Sequence, residues 1–214
     1  MTYAGRLDPM ASGLLLLLAG SEIKNKEKYL GLDKEYEFEI LFGFATDTYD
    51  ILGKVQQKPR RQRLRGKSVL EKLIKENLKF FRGKIKQTYP LYSSPTIKSA
   101  RRGIQAEPRS REIVVQKLEF LKLRSVTPSV LFKNIEKRIK KVDGDFRQKE
   151  ILSAWDKHLR MSTLRHFWIG SFKIRCSSGT YVRGVAHSLG EKMGVPTLAF
   201  SIKRTKIGKW KTRD

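Results

Sequence analysis

The chain has 214 residues, enough for a large domain with a real core, and 39% are hydrophobic against 31% charged. Lys and Arg number 46 and Asp and Glu 21, a formal net charge of +25, and such an excess points to a polyanionic partner, because each phosphate neutralised releases a condensed counterion. The longest apolar stretch, Leu14 to Ala19, is too short for a membrane span, the single Cys176 excludes an intrachain disulfide, and the amino terminus lacks a signal-peptide pattern, so a cytoplasmic protein is expected.

In chain order, the first notable feature is Asp8, which precedes Pro9 between Gly5 and Gly13; on local grounds an Asp before Pro is a turn or a cap residue. Glu35 to Phe42 alternates, which predicts a half-buried strand with Tyr36, Phe38, Ile40 and Phe42 on its inner face and mostly glutamates outside. Gly43 to Gly53 is rich in Gly, Thr and Asp and reads as a loop whose side chains bond their own backbone. From Ser68, Ser-Val-Leu-Glu offers a capping box, and Leu70, Leu73, Ile74, Leu78 and Phe81 follow at helical spacing before Gly83. The basic flanks, Lys58 to Lys67 and Lys84 to Lys86, read as solvated surface.

Tyr89 to Gly103 is loop-like, with Pro90, Pro95 and several serines, and Glu112 to Phe120 resumes strand character. Between Pro128 and Arg165, Leu131, Ile135 and Ile139 recur every four residues amid Lys and Arg, which predicts an inserted helical element at about 124–165; its charge reads as a solvated face, with RNA contact as the alternative. Phe172 to Cys176 reads as a strand, Ser177 to Tyr181 as a turn, and Val182, Val185, Ala186, Leu189 and Met193 as a helix ending at Gly194. His158, His166 and His187 have no metal-set spacing, and neither a Walker loop nor a G-x-G-x-x-G occurs, so neither a metal nor a cofactor is expected.

Several ordered blocks carry a family resemblance. YAGRLDPMASGLLLLLAG closely resembles the signature of TruB-type pseudouridine synthases, whose G-x-L-D-P-x-A-x-G stretch holds the catalytic aspartate; Asp8 takes that position. KEYEFEILFGFATDTYDILGKV from Lys34 is similar to the family's K-x-Y strand and G-x-x-T-D-T-x-D-x-x-G loop, YPLYSSPTIK from Tyr89 to its proline-tyrosine-serine segment, IRCSSGTYVRGVAHSLGEKMG from Ile174 to its C-S-x-G-T-Y-I-R motif, and IKRTKIGKW to its closing strand. The helical insert resembles nothing in the family, Tyr3 stands where the family has histidine, and the segment from Ser94 to Gly103 is several residues short.

The resemblance implies an α+β pseudouridine synthase fold: one catalytic domain over residues 1–214, with a mixed, largely antiparallel sheet flanked by helices and a cleft across its middle. It sets the expectation of a domain without the family's upstream K-P-x-G-x-x-S segment and without a carboxy-terminal PUA domain. The implied reaction is isomerisation of a T-loop uridine of tRNA (the pseudouridine-55 activity), with Asp8 as the nucleophile or as the promoter of C2′ proton loss. Arg183 matches the arginine paired with that carboxylate, since a guanidinium orients a carboxylate by a bidentate contact. Tyr36 matches the tyrosine that stacks on the target base and is a candidate proton acceptor, and Tyr181 matches a second site tyrosine. Read only as residues, these three are a helix arginine, a core tyrosine and a packed turn tyrosine. The implied partner is the T-arm of tRNA, bound by a monomer; the alternatives are a non-catalytic RNA-binding or RNA-folding protein, and a guide-RNA-dependent synthase acting on ribosomal RNA.

Overall fold

The computed structural model describes residues 1–57, 66–90, 92 and 110–212. The alternating segment is a strand, β4 (Lys34–Phe42), at the middle of a seven-stranded sheet. Antiparallel to it lie β10 (Thr197–Ile207) on one side and β9 (Phe167–Cys176) on the other. Beyond β9 follow β8 (Ser110–Val126) and β7 (Gly83–Thr88), and beyond β10 the short β11 (Trp210–Lys211). The one parallel partner is β2 (Ala11–Gly13), which pairs with β10, so the sheet is mixed and largely antiparallel, as expected. Two small ribbons complete the strands of the described residues: β1 (Thr2–Ala4) with β3 (Leu16–Leu18), and β5 (Ala45–Thr46) with β6 (Val55–Gln57).

Both faces of the sheet are covered. On one, Phe38, Ile40, Phe42, Phe172 and Ile174 pack against α2 (Lys67–Leu78) and α5 (Val182–Met193) through Leu70, Ile74, Val185 and Leu189. On the other, Leu41, Phe167, Ile169, Leu198 and Phe200 pack against α3 (Pro128–Ile139) and α4 (Gln148–Arg160). Here Leu131, Ile135, Ile139, Ile151, Trp155 and Leu159 are buried, and each large side chain removed from water contributes about 1.5–3 kcal/mol. A short helix, α1 (Lys26–Leu30), follows β3.

The second layer changes the expectation for β4. Leu41 is fully buried, and Glu39 accepts from Arg124 at 2.9 Å and from the Ser201 hydroxyl at 2.9 Å and lies 3.7 Å from Arg138. The glutamate face is therefore covered where α3 crosses it. The insert also starts later than expected, because residues 124–126 are the last rungs of β8, with Val126 opposite Phe167. Thr127 caps α3 by accepting the Val130 N–H at 3.4 Å, and Pro128 fills the first turn, where no N–H partner is needed.

Ser68 does not cap α2. The helix begins two residues earlier, behind Gly66, whose φ is +78° and which supplies no side-chain acceptor, so Ser68 and Glu71 are both interior to the helix. α5 ends on Gly194 at φ +63°, the left-handed cap that glycine adopts without a Cβ clash. The strands over Glu112–Phe120 and Phe172–Cys176 extend further than their patterning suggested, because β8 and β9 hold each other's backbones over ten rungs. Residues 58–65 and 93–103, part of the basic flank and most of the loop after Tyr89, lie outside the described residues.

Candidate active site

Asp8 lies in the loop between β1 and β2, closed by the Ala11 N–H donating to the Asp8 carbonyl at 2.8 Å. The β1–β3 ribbon holds one flank of this loop and the β2–β10 pairing the other. A Cβ on Gly13 would stand 2.3 Å from the Arg204 carbonyl oxygen, and its φ is +104°, so only glycine permits this approach.

The Arg204 side chain then ties the flanks together. It is 2% exposed, its Nε donates to the Leu14 carbonyl at 2.7 Å, and its Nη2 donates to the Gly5 carbonyl at 2.9 Å. Arg204 also stands directly across the β4–β10 ladder from Tyr36. Burial pushes the Tyr36 phenol up to about 12, with Arg204 opposing the shift, so Tyr36 is protonated at neutral pH. Lys34, two residues before Tyr36 on β4, donates to the Leu30 and Leu32 carbonyls at 2.6 and 2.5 Å; burial and then the Arg204 charge lower its ammonium to about 8.

Arg183 enters from the first turn of α5. Its Nε donates to one Asp8 carboxylate oxygen at 3.0 Å and its Nη2 to the other at 3.3 Å, the two-pronged contact of a guanidinium on a carboxylate. The remaining donors reach the Thr48 carbonyl at 2.8 Å and the Tyr92 carbonyl at 3.2 Å. The Arg183 side chain is 5% exposed and Asp8 24%, so the pair presents its carboxylate end to the opening. The Tyr181 ring lies 5.5 Å from the guanidinium carbon, and the Gln87 amide fixes the Tyr181 backbone by bonds to both its N–H and its carbonyl, each 2.9 Å.

A second carboxylate stands behind the first. Asp50 is buried and is pushed up to about 6 by that burial, against the pull of the Arg183 charge. It accepts from the Thr48 hydroxyl at 2.6 Å and the Leu52 N–H at 3.0 Å. The intervening Tyr49 is left-handed at φ +65°, and its ring stacks on His187 with centroids 3.8 Å apart. The Thr-Asp loop thus bonds its own backbone as expected, with Thr46 and Thr48 both donating to the Asp50 carbonyl.

Asp8, Tyr36 and Tyr181 line one cleft of ≈ 560 Å³, floored by Arg204 and Ile202, and Arg183 reaches it through Asp8. All four expected site residues are therefore brought together. Sequence reasoning did not single out Arg204, Thr48 or Asp50. A signal for Arg204 was present: it has the same strand parity as the apolar Ile202, whereas Lys203 has the opposite one. Arg147, from the insert, was also missed; it lies 3.4 Å from Asp47 and stacks its guanidinium 5.2 Å from the Tyr92 ring. Among the described residues no three His, Cys, Asp or Glu side chains gather as a metal set, and no helix is long and apolar enough to cross a membrane.

The fold is similar to one in a solved Cbf5 complex. The crystal structure titled as a Cbf5-Nop10-Gar1 complex aligns with 99% of this chain and 41% of its own, at a TM-score of 0.54 and 20% identity. That likeness is one of fold, the mixed sheet and the helices on its faces. Residues 1–147 match the model of the TruB family pseudouridylate synthases, N-terminal domain. The chain belongs to the TruB family. It is 32% identical over 211 residues to tRNA pseudouridine synthase B of Aquifex aeolicus, covering 96% of this chain and 58% of the relative. Against the Opitutus terrae protein of the same name it is 30% identical over 218 residues, covering 99% and 71%. Against that of Clostridium tetani it is 28% identical, covering 96% of this chain and 57% of the relative. The chain thus spans little more than half the length of several relatives.

Proposed function

We propose that the chain is the catalytic domain of a tRNA pseudouridine synthase that converts a T-loop uridine (position 55) to pseudouridine, with Asp8 as its nucleophile. The observation that carries this reading is the Asp8 carboxylate held on the Arg183 fork at the wall of a cleft shared with Tyr36. The reaction is an isomerisation: the C1′–N1 bond breaks, the uracil turns, the C1′–C5 bond forms, and the C5 proton is lost as N1 gains one. It consumes no oxidant, reductant or energy carrier, in keeping with a site that needs only a carboxylate and a place for the base to turn.

Asp8 acts on the sugar, by attack at C1′ or by drawing off a C2′ proton, and Arg183 fixes which oxygen faces the ribose. A phenol raised to about 12 favours Tyr36 as a stacking platform over Tyr36 as a proton acceptor. Tyr181 lines the same cleft. Flipping the uridine out of its loop costs a few kcal/mol, and contacts to the bases and backbone of the T-arm must offset that cost. The net charge of +25 suits that partner. The protein works as a monomer in the cytoplasm, as one domain whose helical insert packs on the sheet.

The test is to incubate the wild type and Asp8→Asn with an unmodified tRNA transcript and to map pseudouridine by carbodiimide-primer extension. The reading expects one T-loop uridine modified by the wild type and none by the variant. Tight, salt-sensitive binding of both proteins without any pseudouridine would overturn it in favour of a non-catalytic RNA-binding protein.

A further inference from the structure

Beside the uridine cleft, and sharing Ala11 and Ile202 with it, lies a second recess of ≈ 540 Å³. One wall is the distal half of the Asp8 loop, from Pro9 to Ser12; the second is α3, and the third is β10. Four cations line it, Lys137, Arg138, Lys141 and Lys203, and no carboxylate does. Arg138 is committed to the protein itself, 3.7 Å from Glu39 and with its guanidinium carbon 4.9 Å from the Phe200 ring centroid, which anchors α3 over the sheet. The other three are exposed and form no ion pair among the described residues. The acid nearest in sequence, Glu136, is engaged instead with Lys140 at 2.8 Å.

A groove with three uncommitted ammonium groups and no acid suits a run of phosphates and disfavours an apolar or cationic ligand. Its position narrows the choice. The Asp8 loop divides it from the cleft, so a strand whose uridine is turned into the cleft has neighbouring phosphates at the mouth of the recess. Two of the three lysines, Lys137 and Lys141, lie on α3 and just after its end. We propose that this recess binds the sugar-phosphate backbone of the RNA strand flanking the flipped uridine, and that α3 is an RNA-binding element of this chain. The inference rests on the uridine-modifying reading given above. A single nucleotide or free phosphate would use only a fraction of the groove.

The test compares two charge-matched variants of the full chain. Lys137→Gln/Lys141→Gln/Lys203→Gln removes the groove lysines; Lys72→Gln/Lys75→Gln/Lys79→Gln removes three from α2 and its following turn, on the opposite face of the sheet. All six are exposed, and melting curves check that both variants keep the fold. Binding of unmodified tRNA is titrated across a salt series. The groove variant is expected to bind about ten- to a hundred-fold more weakly near 0.1 M salt, with the slope of log K against log salt shallower by about two, while the α2 variant loses less than about threefold. Equal losses in both variants, or no loss in the groove variant, would overturn the proposal. Pseudouridine formation by the wild type, assayed alongside, decides the catalytic reading separately, because the binding comparison does not depend on turnover.

Discussion

The helix pair α2 and α5 and the pair α3 and α4 cover opposite faces of one sheet and meet different demands. The α5 face carries buried charge: Arg183 between Asp8 and Asp50, and Arg204 beneath Tyr36. The α3–α4 face is built from Leu131, Ile135, Trp155, Phe167 and Phe200, and its Trp155 N–H donates to the Ile51 carbonyl at 3.1 Å. The first face holds charged groups in fixed positions around the cleft at a cost in stability, while the second supplies stability by excluding water. The difference teaches that the site can tolerate buried ions because the opposite layer buries a large apolar cluster, with its Glu39–Arg124–Arg138 charges paired to one another at the margin.

The sharpest way to break this contrast is Trp155→Ala. It leaves a cavity against Phe44 and Phe167 and an unpaired Ile51 carbonyl, and is expected to cost about 3–5 kcal/mol in denaturant titration. Turnover per folded molecule should stay at the wild-type level; a parallel loss of rate would make the second layer part of the chemistry. Arg183→Lys should do the reverse. An ammonium cannot span both Asp8 oxygens and the Thr48 and Tyr92 carbonyls, so the single-turnover rate should fall about a hundred-fold, equivalent to about 3 kcal/mol, with a smaller change in melting temperature.

Asp50→Asn sharpens the comparison through pH. Asp50 is raised from 3.8 to about 6 in the folded chain, so below about pH 4 both folded and unfolded forms hold the proton. Between about pH 4 and 6 the unfolded chain releases it first, and stability falls as pH rises through that window, by about 2–3 kcal/mol in all, then levels off. Asn should flatten that slope, which chemical denaturation at pH 4.5 and 7 will show; an unchanged slope would assign it to another group. The smallest effect is expected at Tyr49. Tyr49→Gly relieves a left-handed backbone at φ +65° but gives up the stack on His187, and the two offset to within about 1 kcal/mol by thermal melt. A β-branched residue there, Tyr49→Val, should cost clearly more.

The local patterns of the chain were largely legible in its sequence. The alternation of β4 and the stripe of Leu131, Ile135 and Ile139 identified their elements, because strand and helix periods are local properties. What those faces pack against was not legible: Leu41 and Glu39 read as an outer face, and only the distant α3 covers them. The capping box at Ser68 failed for a related reason, since Gly66 turns the chain into the helix two residues sooner. Of the site, Asp8, Tyr36, Tyr181 and Arg183 came from motif resemblance and not from spacing. Arg204 escaped because a basic residue between Lys203 and Lys206 looks like surface, and its burial depends on two carbonyls nearly the whole chain away.

The rung that pairs Val126 with Phe167 has a wider consequence. The chain leaves the sheet at one of these residues and returns at the other, so the whole helical excursion is attached at a single point, like a graft on a hairpin. Topologically it is removable: a tight turn joining β8 to β9 would preserve every strand register. Energetically it is not, because Leu41, Phe44, Leu198 and Phe200 would then face water. Any shortened descendant of this chain would have to replace those side chains with polar ones at the same time as it lost the helices.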